Sequence, residues 1–218
     1  MGISPERKIH RNLVNLLAKT VKGLKVLIPY LKEEYGEEKT KKVLEYAEAR
    51  NVELCRENEG DNKAVKSHTE LDVYPMISVY EGLQKNGVSK EAAQKFLDVT
   101  FSKKAEPGAA QMRMLLKIPG AYKLVPKLFK SVTESQFGED AGFHATFLEA
   151  SKTRIRFDME KCLYWDRFCK YGYPELTMCM CHTDDVNNGA MHPKLCWART
   201  KTMGEGGDVC DFHMYIKK

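Results

Sequence analysis

Thr153-Arg154-Ile155-Arg156-Phe157-Asp158-Met159 puts an apolar side chain at every second position. That is the period of a strand with one covered face and one wet face. Phe143-His144-Ala145-Thr146-Phe147-Leu148-Glu149-Ala150 just before it, and residues 195–202 and 209–216 after it, alternate in the same way. Glu205-Gly206-Gly207-Asp208 lies between the last two and holds the permissive residues of a hairpin turn. Residues 160–168 and 175–180 read as helices between the strand pairs, joined by a loop over 170–174.

Working outward, the chain before Gly138 has helical periodicity instead. Ser4-Pro5 reads as an N-cap with proline at the first helical position, followed by Ile9, Leu13, Leu16, Leu17, Leu24, Leu27 and Leu31 at helical spacing. Further helices are expected over 38–57, 70–84 and 89–102, with a boundary or kink at Pro75, a stop at Gly87 and an N-cap at Ser89. Pro107-Gly108 and Pro119-Gly120 bound two more short helices, the second interrupted at Pro126. The fold class is α+β, a helical N-terminal layer packed on a C-terminal antiparallel sheet. A helical region over 1–138 and a cysteine-rich region over 139–218 form one compact domain.

The 218 residues suffice for a sizeable core without disulfide staples. An odd number of cysteines, with Cys179 and Cys181 close together and no apolar leader after Met1, points to reduced thiols in a cytoplasm. No apolar run approaches the ~18 residues of a membrane span, so none is expected. The net charge of +5 is unevenly placed, because residues 101–133 carry seven Lys and Arg against Glu106 alone. With no aromatic nucleic-acid motif beside it, this stretch reads as a solvated helix face and no nucleic-acid partner is expected. Salt-dependent association with an anionic partner would be the sign of a different role.

Chemistry concentrates near the C-terminus. Six of seven cysteines fall between Cys162 and Cys210, together with His182, Asp184, Asp185, His192, Asp211 and His213. Cys181 is the leading nucleophile, since His182, Asp184 and Asp185 follow it as proton acceptors. Cys162 and Cys210 are the other candidates. On a strand, Cys210 and Asp211 point to opposite faces, while Asp211 and His213 share one. Arg199 offers a planar fork for a substrate carboxylate and Thr202 a hydroxyl beside it. Cys179, Cys181, His182, His192, Cys196, Cys210 and His213 lack regular metal-ligand spacing, so no metal is expected. No glycine-rich phosphate loop implies an organic cofactor, and none is expected.

The ordered set Cys162, Tyr173-Pro174-Glu175-Leu176, Cys181-His182-Thr183-Asp184-Asp185, Arg199-Thr200-Lys201-Thr202, Gly206 and Cys210-Asp211-Phe212 resembles the L-2-amino-thiazoline-4-carboxylic acid hydrolase family. The resemblance implies a cysteine-dependent enzyme that opens a cyclic amidine by hydrolysis, giving a carbamoyl amino acid. It places Cys162, Cys181, Asp184, Asp185, Arg199, Thr202, Cys210 and Asp211 at motif positions. His213 stands where the family more often has arginine. The expected partner is therefore a small carboxylate-bearing substrate. The competing reading is a non-catalytic module that senses a small ligand or a metal through the cysteine cluster.

Overall fold

The computed structural model describes the backbone of residues 5–217 and the side chains of residues 23–217. The expected cap at Ser4 and the side chains of Ile9, Leu13, Leu16 and Leu17 lie outside the described residues. By internal packing the chain divides into two units, residues 1–93 and 94–218.

In the first unit, helix α1 (Pro5–Glu57) is broken at Gly36, whose φ of 74° and ψ of 170° no helix accommodates. Leu24, Leu27 and Leu31 on one side of the break, and Val43, Ala47 and Leu54 on the other, are fully buried. They recur every three to four or seven residues, which places each set on one helix face. Short helix α2 (Lys63–His68) is capped by Asn62 Oδ1, which accepts from Val65 N–H at 2.9 Å. A wide turn over Thr69–Val73 then leads into α3 (Tyr74–Lys85), with Pro75 in its first turn. Pro75 therefore follows closely on a π-helical turn, a wider winding that marks the boundary between α2 and α3. Helices α1 and α3 pack so closely that a Cβ at Gly82 would stand 2.9 Å from the Val43 carbonyl oxygen.

Helix α4 (Lys90–Leu115) begins where Ser89 Oγ accepts from Ala92 N–H at 3.2 Å, the expected cap. It runs straight through Pro107-Gly108, against the expected break. Both residues are exposed, so water can meet the carbonyl that proline leaves without a donor. The chain does turn at Gly120, with φ of 84°, and α5 (Val125–Gln136) carries Pro126 in its first turn, where it starts rather than interrupts the helix.

Four strands follow: β1 (His144–Ala150), β2 (Arg154–Lys161), β3 (Leu195–Ala198) and β4 (Cys210–Ile216). They form one antiparallel sheet in the order β1-β2-β4-β3. Register places Ile155 opposite Met214, Phe157 opposite Phe212 and Met159 opposite Cys210, all buried on one face. Arg154, Arg156, Asp158, Asp211, His213 and Tyr215 form the other. Helix α5 packs on β1 and β2, and its Phe129 ring lies 6.2 Å from Phe157 and 5.7 Å from Trp197. Between the strand pairs run α6 (Leu163–Lys170) and α7 (Thr177–Asn188). The architecture is α+β, as the alternation and periodicity predict.

The link between β3 and β4 is longer than a tight hairpin. Asp211 accepts from the backbone N–H groups of Thr200 and Lys201, both at 2.8 Å, so residues past Ala198 bond a side chain instead of extending the ladder. A single turn over Met203–Glu205 follows, capped by Thr202 and closed by Gly206 with φ of 87°. Gly206 takes the permissive position the sequence suggests.

Candidate active site

One cavity of about 290 Å³ lies within the second unit, between the apolar sheet face, α5 and α7. Helix α7 contributes Thr177, Met180, Cys181, Asp184, Asn187 and Asn188 to its wall. These recur at three- and four-residue intervals, so a single helix face supplies them all. Helix α5 supplies Phe129, Val132, Thr133 and Gln136 by the same rule, Phe137 follows just past its end, and the sheet gives Phe157, Met159, Trp197, Cys210 and Phe212. Cys162, at the end of β2, completes the ring. The volume suits a small ring, and the aromatic lining offers flat apolar faces.

Three of the candidate cysteines, Cys162, Cys181 and Cys210, thus meet in this cavity with Asp184. All are free thiols. Burial pushes Cys181 up to about 12, with the Asp184 and Cys210 side chains adding to the rise. Burial likewise raises Cys162, against opposing N–H groups of Trp165 and Tyr164 at the start of α6. Cys210 rises through burial although Met203 N–H donates to its sulfur at 3.2 Å. The resting thiols are therefore protonated at neutral pH.

Asp184 stands one turn after Cys181 on the same helix face. Its side chain lines the cavity and keeps 41% of its surface accessible. Enclosure in protein raises its carboxyl to about 7; Arg199 opposes the rise and Asp185 adds to it. A carboxyl in that range exchanges protons near neutral pH, the property a general acid–base group needs.

Asp185 and Arg199 sit behind this wall. Arg199 Nη2 donates to the Cys181 carbonyl at 3.0 Å and to Asp185 Oδ2 at 2.5 Å, while its Nη1 lies 3.9 Å from Asp184 Oδ2. Trp197 Nε1 donates to Asp185 Oδ1 at 3.0 Å. Arg199 thereby ties β3 to α7 and sets the position of both aspartates. Its Nη1 is buried with no hydrogen-bond partner.

The remaining expected residues take other places. Thr202 is buried, accepts from Glu205 N–H at 3.2 Å, and lies within hydrogen-bond reach of the Cys181 thiol. Asp211 and His213 are on the sheet face turned away from the cavity, as the strand alternation requires once Cys210 and Phe212 line it. Burial acts to raise the Asp211 carboxyl, but hydrogen bonds from the Thr200 hydroxyl and from the Lys201 and Thr200 N–H groups win and hold it below its usual range. His182, next to Cys181 in sequence, turns to Asp98 of α4, with Nδ1 to Oδ1 at 2.6 Å. Successive helical residues differ by about 100° in direction, so a neighbour in sequence faces elsewhere.

Sequence reasoning missed the aromatic wall, Thr177, Asn187 and Asn188. Thr177 is buried and its hydroxyl has no partner, although it lines the cavity. Helical spacing from Cys181 back to Thr177 and on to Asn188 was the available signal. Among the described residues, no three His, Cys, Asp or Glu side chains are placed to hold a metal ion. No helix among them is long and apolar enough to cross a membrane.

Fold and site together define an α+β protein with a thiol–carboxylate cavity of small-molecule size. The family model described as L-2-amino-thiazoline-4-carboxylic acid hydrolase matches residues 66–214, well over half of the chain. The chain belongs to that hydrolase family. The match takes in α3, α4 and α5, and so reaches far upstream of the motifs beyond residue 140. No curated protein matches the chain.

Proposed function

We propose that the protein hydrolyses a ring carbon–nitrogen bond in a small cyclic amidine or amide, such as 2-amino-thiazoline-4-carboxylate, giving a carbamoyl amino acid. The observation that carries this reading is the pair Cys181 and Asp184, one turn apart on α7 and both lining the cavity. Cys181 Sγ adds to the amidine carbon, and its proton passes through Asp184 to the ring nitrogen. The ring C–N bond opens with its electron pair going to that nitrogen, which also takes a proton from the exocyclic amino group. An S-linked imidothioate remains. Water adds across its C=N bond with one proton to nitrogen, and the other returns through Asp184 to the departing Cys181 sulfur. The ring is open, one water is consumed and the thiol is restored.

Protonation states constrain the order of events. With the thiol at about 12 and the carboxyl at about 7, free proton transfer from sulfur to Asp184 is unfavourable by about five powers of ten. In this reading the proton leaves as the carbon–sulfur bond forms, which avoids a free thiolate. The same high thiol values favour a second reading, in which Asp184 deprotonates water directly and no covalent adduct forms. In both readings Asp184 works as a carboxylate, and Arg199 acts as a positioning residue through its grip on Asp185 and Cys181.

The protein is expected to act in a cytoplasm, without an organic cofactor. The test is hydrolysis of 2-amino-thiazoline-4-carboxylate by the full chain. The expected result is turnover whose kcat/KM rises with pH through about 7, as Asp184 ionises. Absence of turnover on this substrate and on related cyclic amidines would leave the sensing module as the better account.

A further inference from the structure

Between residues 107 and 133 the chain holds Arg113, Lys117, Lys123, Lys127 and Lys130, and no Asp or Glu. Arg113 pairs with Glu106, and Lys130 reaches Glu134 at 3.4 Å. Lys117, Lys123 and Lys127 are exposed and have no ion-pair partner among the described residues. The same stretch leaves large apolar side chains in water. Met114, Leu115, Ile118, Leu124 and Leu128 are 57–69% exposed, and Met112 and Val132 are also open. A concentration of this kind is unusual on a soluble surface and marks a contact site.

The chain organises these groups. Leu115 and Ile118 are joined across one turn by a backbone hydrogen bond of 3.1 Å, and the chain turns at Gly120. Along the start of α5, Leu124, Leu128 and Val132 recur every fourth residue and form one stripe. Phe129, Thr133 and Gln136 turn inward from that stripe to the cavity. By helical geometry Lys123, Lys127 and Lys130 lie on its other flank. Val132 belongs to both the stripe and the cavity wall, so the stripe borders the cavity.

Charge complementarity selects the occupant. A second copy of this surface would set uncompensated lysines against lysines. A nucleic acid would satisfy the lysines but leave the apolar side chains wet. An anionic bilayer does both, with the lysines at the phosphate level and the apolar side chains in the headgroup–acyl boundary. We propose that residues 112–132 seat the protein on an anionic lipid surface, with the cavity's rim at that surface.

The experiment is co-sedimentation of the full chain with phosphatidylcholine vesicles, with or without about one third phosphatidylglycerol. Binding to the anionic vesicles should exceed binding to neutral ones by at least about tenfold and weaken steeply as salt rises from about 0.05 to about 0.3 M. A Leu115→Glu/Ile118→Glu variant and a Lys123→Glu/Lys127→Glu variant should each lose at least about tenfold, with unchanged circular dichroism because all four positions are exposed. Equal binding to neutral and anionic vesicles, or none to either, would overturn the proposal. So would undiminished binding by the Leu115/Ile118 variant, which would reduce the effect to charge alone. A dimer in the absence of vesicles that this variant dissolves would also overturn it, by assigning the surface to a second copy.

Discussion

Replacing Arg199 tests how the two aspartates and Cys181 are held. The guanidinium makes one hydrogen bond to a backbone carbonyl and one to a carboxylate, at 3.0 and 2.5 Å. Hydrogen bonds to a charged group are worth about 1.5–3 kcal/mol each when buried. Asp185 is nearly half exposed, so its share is discounted to about 1 kcal/mol. Arg199→Ala should thus cost roughly 2.5–4 kcal/mol, and Arg199→Lys roughly 1–2, since lysine keeps the charge and its donors but loses the planar, pre-organised fork that aims them. A second effect is electrostatic. Arg199 Nη1 lies 3.9 Å from Asp184 Oδ2 and holds that carboxyl down against burial. Without it the carboxylate is less favourable, so the rising limb of kcat/KM against pH should move alkaline by roughly one unit in Arg199→Ala and by less in Arg199→Lys. Urea denaturation gives the first quantity and a pH–rate profile the second. The reasoning is refuted if Arg199→Ala leaves the limb in place but abolishes preference for the acid substrate over its methyl ester. Arg199 would then grip the substrate rather than position Asp184.

Asp184→Asn should abolish most turnover yet change stability in a pH-dependent way. The native carboxyl titrates near 7, above its unfolded value, so wild-type stability falls as pH rises between about 4 and about 7. The melting temperature of the variant relative to wild type should climb through that window, and a constant difference would contradict it. Thr177→Val removes a buried hydroxyl without a partner, so the fold should be unharmed or gain up to about 1 kcal/mol. If that hydroxyl meets substrate, KM should rise about tenfold with little change in kcat. Asp211→Asn should cost about 1–3 kcal/mol at neutral pH, because the carboxylate holds Thr200 and Lys201. Its native carboxyl is held low, so the wild-type advantage should disappear as pH falls below about 4, which melting curves at pH 3 and pH 7 would reveal.

The strands were legible because a sheet covered on one face imposes strict alternation, and Ile155, Phe157 and Met159 obey it. The helix start at Ser89 was legible from capping chemistry, whereas Pro126 read as an interruption and in fact opens α5, because a proline suits a first turn as well as a break and local sequence does not decide between them. Pro107-Gly108 misled because a local breaker on an exposed helix face can be absorbed by solvent, and only tertiary context decides that. In the cavity, Cys181 and Asp184 could be paired from their spacing, but His182 was drawn in by sequence adjacency, which a helix turns into divergence. Asp211 and His213 followed correctly as a pair sharing a face, yet which face the cavity takes depends on where α5 and α7 pack. Arg199 read as a ligand for substrate, and its contacts with Cys181 and Asp185 join residues far apart in sequence. The aromatic wall had no local signature, since Phe129, Phe143, Phe157, Trp197 and Phe212 come from separate elements.

The central claim is that hydrolysis runs through Cys181 on α7. Its most direct test is the turnover of 2-amino-thiazoline-4-carboxylate by Cys181→Ala at saturating substrate, with Cys55→Ala as the control in the other unit. A drop of at least about a thousandfold in kcat, with the fold intact and Cys55→Ala within about threefold of wild type, is the result the account predicts. Near wild-type turnover by folded Cys181→Ala would contradict it, and would return the chemistry to Asp184 and water or to the thiols of Cys162 and Cys210.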